Sequence, residues 1–190
     1  DKERYERIIV NTVKKIIGER GEPTSYSTIV NSYPIIYDEL KKSGYLFSAP
    51  EGIEEILKRN LNKEFILIDV KDEKGRVIGQ KWWVKGVKYL DIVPLSERIE
   101  AITMDVLNKE IKVSFDDVLK QIYLKFTNAL TPDTQSVKEV LEEYAEKTKD
   151  GKWRLKPKIK QRESEHDLIV RILAILGKKA GFEVYADLPG

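Results

Sequence analysis

The chain has no cysteine, one histidine and one methionine among its 190 residues. Without cysteine there is no disulfide framework, no thiolate metal site and no cysteine nucleophile. The lone His166 follows Glu163 at a helical spacing, yet a zinc-type site needs three or four ligands and no second imidazole exists. Glu163 and Glu165 are accounted for by the attraction of acids to a helix start. Long apolar runs are missing too. The longest, LIVRILAIL at 168–176, is broken by Arg171 and falls short of the ~18 residues that span a bilayer. Neither a membrane partner nor a signal peptide is expected, and the expected location is cytoplasmic. Motifs of chemistry are also absent: there is no GxSxG, HExxH or GxGxxG, and GKKAG at 177–181 lacks phosphate-loop spacing. No catalytic residue, metal or cofactor is expected, and this stretch is not expected to be an enzyme by itself.

What is present is a soluble globular composition, 41% hydrophobic and 35% charged, enough for one large core or two small ones. Abundant Lys, Glu and Ile with few thermolabile residues lean towards a thermophile. Asp1 is not a natural first residue, so a longer natural N-terminus is expected.

Apolar residues set the elements. Tyr5, Ile8, Ile9, Val13, Ile16 and Ile17 form a helical stripe that is expected to stop at Gly18. Further helices are expected over Ser25–Asn31, Pro34–Ser43 and PEGIEEILKRNL (50–61). EFILIDV and RVIGQKWWV then flank the turn residues DEKG and read as a β-hairpin. A similar order follows. Pro94 opens a helix bearing Ile99, Ile102, Val106 and Leu107, and Ser114 with Asp117 has capping-box spacing before Val118, Leu119 and Ile122. Thr131 and Pro132 read as the cap and first turn of a third helix carrying Val137, Val140, Leu141 and Tyr144. KDGK then turns into WRLKPKIK.

Helices followed by a hairpin are the order of a winged helix. The expected fold is therefore α+β, mainly helical, with one winged-helix-like module over 1–90 and another over 91–160. No sequence repeat is recognisable between them. A third element over 161–190 has an apolar stripe too broad for a surface helix, then the strand-like FEVYADLPG. A helix and strand with no sheet to join imply the start of a domain completed downstream.

Charge is unevenly spread. From Lys147 to Arg162 there are eight basic residues and one acid, a net of +7 in a chain whose total is +2. Lys152, Arg154, Lys156, Lys158 and Lys160 alternate with Trp153, Leu155, Pro157 and Ile159, which in a strand puts every basic side chain on one face. With Lys149 and Arg162 these form the candidate nucleic-acid surface. The alternative is an edge strand guarded by lysines. The third helix is a poor groove reader, since Glu139, Glu142, Glu143 and Glu146 would face phosphates. Trp82 and Trp83 are adjacent, so one points inward and one outward; the outward one could stack on a base or anchor a partner, or simply cover the hairpin.

The stretches RGEPTSYSTIVNSY, QKWWV, PLSERIE, LTPDTQSVKEVLEEYA and WRLKP together resemble the non-catalytic region of large adenine-specific DNA methylase-like proteins of archaeal and bacterial modification and defence (restriction-modification) systems. The resemblance covers about residues 20 to 180 and rests on turn and core signatures. It implies a DNA-associated accessory module. The chain lacks the glycine-rich S-adenosylmethionine loop and the [DN]PP[YF] strand end, so the resemblance carries no methyl transfer onto these residues. Three readings follow: a tandem accessory module contacting nucleic acid, with a downstream domain or partner subunits; a protein-interaction scaffold docking partner subunits; and the opening of a nuclease whose catalytic core lies downstream.

Overall fold

Helix α1 (Lys2–Arg20) buries Ile9, Val10, Val13, Ile16 and Ile17 along one face. It runs through Gly18, contrary to expectation, because a glycine within a helix costs only about 1 kcal/mol relative to alanine. It ends instead at Gly21, whose backbone takes φ +68° and whose amide donates to the Ile17 carbonyl at 3.0 Å. The computed structural model describes residues 2–45, 52–87, 92–159 and 169. Over these the fold is α+β and mainly helical, with two small antiparallel sheets.

After α1 come α2 (Tyr26–Asn31), α3 (Tyr33–Lys42) and α4 (Ile53–Arg59), then a hairpin of β1 (Phe65–Lys71) and β2 (Val77–Val84). Ile29, Ile36, Leu40, Ile53, Ile56, Leu57, Phe65 and Trp82 close on the α1 stripe to form one core. The second half repeats the order: α5 (Leu95–Lys109), α6 (Phe115–Lys125), a 3-10 turn at Asn128–Leu130, α7 (Thr134–Tyr144), then β3 (Ala145–Lys147) and β4 (Trp153–Leu155). Its core gathers Leu95, Ile99, Leu107, Val118, Ile122, Val137, Leu141, Trp153 and Leu155.

The two halves share a local device that no stretch of identical residues announces. Thr24 bridges to Trp82 with reciprocal hydrogen bonds of 2.9 and 2.8 Å, and Val113 bridges to Trp153 with bonds of 2.9 and 2.8 Å. Each bridging residue precedes a serine N-cap: Ser25 Oγ accepts the Thr28 amide at 3.2 Å, and Ser114 Oγ accepts the Asp117 amide at 3.1 Å. An aromatic residue follows each cap, Tyr26 or Phe115, and a fully buried aliphatic lies four residues beyond the cap, Ile29 or Val118. TSYSTI (24–29) and VSFDDV (113–118) thus perform the same task with two different sets of side chains.

Two further boundaries differ from the expected ones. Helix α7 is capped by Asp133, which accepts the Ser136 amide at 2.8 Å and its hydroxyl at 2.7 Å, so Thr131 and Pro132 stand before the helix. The alternating strand over 152–160 is cut short. It pairs only over 153–155, and residues 157–159 are helical from Pro157 on, whose ring presets φ for a helical first turn and which offers no amide to a ladder. Trp153 and Leu155 do face inward.

Side chains cross between the halves. Arg20 Nη1 donates to the Ala129 carbonyl at 2.8 Å, and Ala129 itself sits in the first core. Arg98 Nη2 donates to the carbonyls of Glu19 and Arg20 at 2.7 and 3.1 Å. Burial pulls the Arg20 pKa below the usual arginine value. Gly21 completes the join: a Cβ there would lie 3.2 Å from Ile92 Cγ2 and 3.3 Å from its carbonyl oxygen.

Candidate nucleic-acid interface

The β3–β4 hairpin is built from its two buried ends. Trp153 and Leu155 alternate with exposed Arg154, and the register pairs Ala145 with Leu155 and Lys147 with Trp153. The tip is a tight turn in which Thr148 N donates to the Lys152 carbonyl at 2.8 Å and Gly151 N to the Thr148 carbonyl at 2.9 Å. Gly151 adopts φ +77°, which only a residue without Cβ takes at little cost. Asp150 accepts the Thr148 hydroxyl and lies 3.3 Å from Lys112 Nζ. The Thr148 hydrogen bond, with its own amide and Lys112, holds the Asp150 carboxyl below the ordinary aspartate value, so the tip keeps one fixed negative charge.

The basic residues divide into two sets. Lys147, Lys149 and Lys152 are exposed around the turn, with the Lys147 ammonium 6.0 Å from the Trp153 ring centroid. None of the three has a carboxylate partner within 4 Å among the described residues. Arg154 and Lys156 are committed elsewhere. Arg154 lies 2.7 Å from Glu146 through both Nε and Nη2, and Lys156 Nζ donates to the carbonyls of Glu142 and Glu143 at 2.8 and 2.7 Å, closing the C-terminus of α7. Lys158 is exposed on the helical turn rather than on a strand. The expected single basic face is therefore broken at Lys156. Lys160, Arg162, Glu163, Glu165 and His166, with the expected C-terminal helix and strand, lie outside the described residues.

The helix faces remain acidic. On α7, Lys138 pairs with Glu142 at 3.7 Å and Gln135 bonds Glu139 at 3.0 Å. On α4, Lys58 pairs with Glu54 at 2.6 Å and Arg59 with Glu6 at 3.0 Å. The tryptophans of the first hairpin are not free platforms. Trp82 is buried edge-on against Phe65 at 6.1 Å, and half-buried Trp83 ties its indole N–H to the Val87 carbonyl at 2.8 Å.

Among the described residues no group of three or more His, Cys, Asp or Glu side chains is placed to hold a metal ion. No helix there is long and apolar enough to cross a membrane. Sequence reasoning named Lys149 and Lys152 but not Lys147, and it did not foresee that Arg154 and Lys156 are engaged within the protein while the lysines around the turn are not. No protein-family model matches the sequence, and no curated protein matches it at a significant level.

Proposed function

We propose that this chain is a non-catalytic, DNA-associated accessory module built of two winged-helix-like units, and that it meets nucleic-acid backbone with the tip of the β3–β4 hairpin. The repeated order of helix, bridging residue, two or more helices and hairpin supports the winged-helix reading. The observation that carries the binding reading is the cluster of Lys147, Lys149 and Lys152 around one turn without carboxylate partners. Ammonium groups so placed can neutralise phosphates without breaking a native ion pair. The carboxylates of α7 argue against entry of that helix into a groove, where they would face a phosphate charge every ~1.7 Å of duplex. Binding by this surface is indifferent to base sequence, because backbone contacts position a protein but read no bases. The resemblance to methylase-associated regions supports the same assignment, within a larger DNA-modifying or defence assembly. Electrophoretic shift of a short duplex at graded salt tests it. Weak, sequence-independent and steeply salt-dependent binding is expected; no shift at low salt removes the reading.

A further inference from the structure

Trp82 turns its amide and carbonyl away from β1 and towards Thr24, with bonds of 2.8 and 2.9 Å. In an antiparallel ladder, directly opposed residues bond each other or both point away, and the two kinds alternate along the strands. Leu67, the partner of Trp82, therefore points its backbone groups away from β2, and so do Asp69 and Lys71. Phe65, at the start of that series, is already satisfied. Its amide donates to the Asn60 carbonyl at 3.2 Å, and its carbonyl accepts the Asn62 amide at 2.8 Å. No backbone group meets Leu67, Asp69 or Lys71 on that side among the described residues. Three amides and three carbonyls form an open edge, symmetric in sequence about Asp69. The edge along β2 differs: Thr24 covers Trp82, and the register slips where Val70 pairs with Gly79 but Lys71 with Val77.

We propose that β1 pairs antiparallel with β1 of a second copy, centred on Asp69, to make a four-stranded sheet across a two-fold axis. The edge selects this occupant because it is complementary to itself. Leu67 meets Lys71 of the second copy, Asp69 meets Asp69 and Lys71 meets Leu67, so every open amide and carbonyl is used. On one face Ile68 and Val70 lie opposite Val70 and Ile68, which covers apolar surface; Ile68 is 38% exposed in the single chain. On the other face each Lys71 lies diagonal to Asp69 of the second copy, an opposite-charge contact. Edge charges deter pairing when they meet their own sign, and here only the two Asp69 carboxylates do. The two bodies stay clear of each other. Phe65 anchors β1 in the core and Gly75 turns at the far end, so antiparallel pairing puts each core beyond the other copy's turn.

The test is sedimentation velocity of the full chain over a concentration series, with no nucleic acid present. A reversible monomer–dimer equilibrium is expected. Asp69→Pro deletes the central outward amide while sparing the β1–β2 ladder, and weakens dimerisation by about tenfold. Gln80→Pro, on the opposite edge, leaves the dimer in place. If Asp69→Pro fails to fold, Asp69→Lys gathers four like charges at the centre and weakens the dimer in its stead. Asp69→Asn removes the one like-charge pair and tightens the dimer by about two- to fivefold. Crosslinking reads the register directly, because the chain has no cysteine of its own. Opposed Cα atoms at such a pair lie ~5.5 Å apart, which a disulfide spans. Asp69→Cys is therefore expected to form a disulfide dimer under mild oxidation, and Lys74→Cys, at the exposed turn, is not. A chain that stays monomeric throughout, or equal crosslinking at the two positions, overturns the proposal. So does a dimer that Asp69→Pro and Asp69→Lys both leave intact.

Discussion

Glu22 caps a helix that is not its own: its Oε2 accepts the Ser96 amide at 3.1 Å and the Ser96 hydroxyl at 2.6 Å. Helix α5 begins after Pro94, which has no side-chain acceptor, so its first turn takes a carboxylate from the other half of the chain. Arg98 of α5 returns the favour at the opposite pole, donating to the last carbonyls of α1. Exchanged caps, together with Ala129 in the first core, couple two otherwise separate hydrophobic clusters.

Removing either cap is therefore expected to loosen the join before it melts a half. Glu22→Ala costs about 1 kcal/mol, the usual value of an N-cap. Arg98→Ala costs about 1.5–3 kcal/mol, since it deletes charged hydrogen bonds to two carbonyls. Denaturant titration followed by tryptophan fluorescence checks this, because Trp82 and Trp83 report the first half and Trp153 the second. The double variant is expected to unfold in two steps; a single unchanged transition would speak against the exchange.

Asp133 sets the start of α7. Burial raises its pKa, but the hydroxyl and amide of Ser136 outweigh this and hold it below the ordinary aspartate value. A depressed carboxyl stabilises the fold above its unfolded pKa and loses that contribution as pH falls through the folded one. Asp133→Ala is thus expected to cost about 1 kcal/mol at neutral pH, with the gap to the native chain closing in acid, below the ordinary aspartate range. Asp133→Asn keeps most of the cap. Thermal melts at pH 7 and in acid measure both.

The tryptophans separate core from surface. Trp82→Ala is expected to cost about 3–5 kcal/mol, as for other large core truncations. Trp83→Phe removes one indole hydrogen bond, about 1 kcal/mol, and leaves duplex affinity unchanged because Trp83 covers the hairpin. A drop in affinity with Trp83→Phe would show that it stacks on bases after all.

Much of this fold was legible wherever apolar period and cap coincide. The Ser114–Asp117 spacing, the first hairpin and the stripe of α1 all appear where the residues place them. The failures have local causes. Gly18 lies inside α1 because one glycine is a small penalty against five buried aliphatics, whereas Gly21 has the positive φ that ends a helix. Thr131 yields to Asp133 because a carboxylate can accept both the amide and the hydroxyl of Ser136. The period-2 pattern over 152–160 suits a strand, but Pro157 ends pairing, so charges that share a face on paper part in space. The repeated order of elements was legible, but the bridge-and-cap device within it was not, since its parts agree in geometry while Thr24 and Val113, or Tyr26 and Phe115, differ in identity.

Lysines of the second hairpin are expected to behave in two ways. Lys156→Gln removes the donor to the Glu142 and Glu143 carbonyls and destabilises the fold by about 0.3–1 kcal/mol, with little change in the salt dependence of DNA binding. Lys149→Gln changes stability by less than ~0.5 kcal/mol and lowers the salt slope. Paired melting and binding measurements on the two variants check the division.

The most direct test of the DNA-binding account is the slope of log affinity against log salt for a short duplex. Neutralising Z phosphates gives about −0.9Z, so three tip lysines predict roughly −2.7. Changing Lys147, Lys149 and Lys152 together to Gln is expected to bring that slope close to zero at an unchanged melting temperature. A triple variant that folds and keeps the full slope would contradict the account, because the phosphates would then be met somewhere other than the hairpin tip.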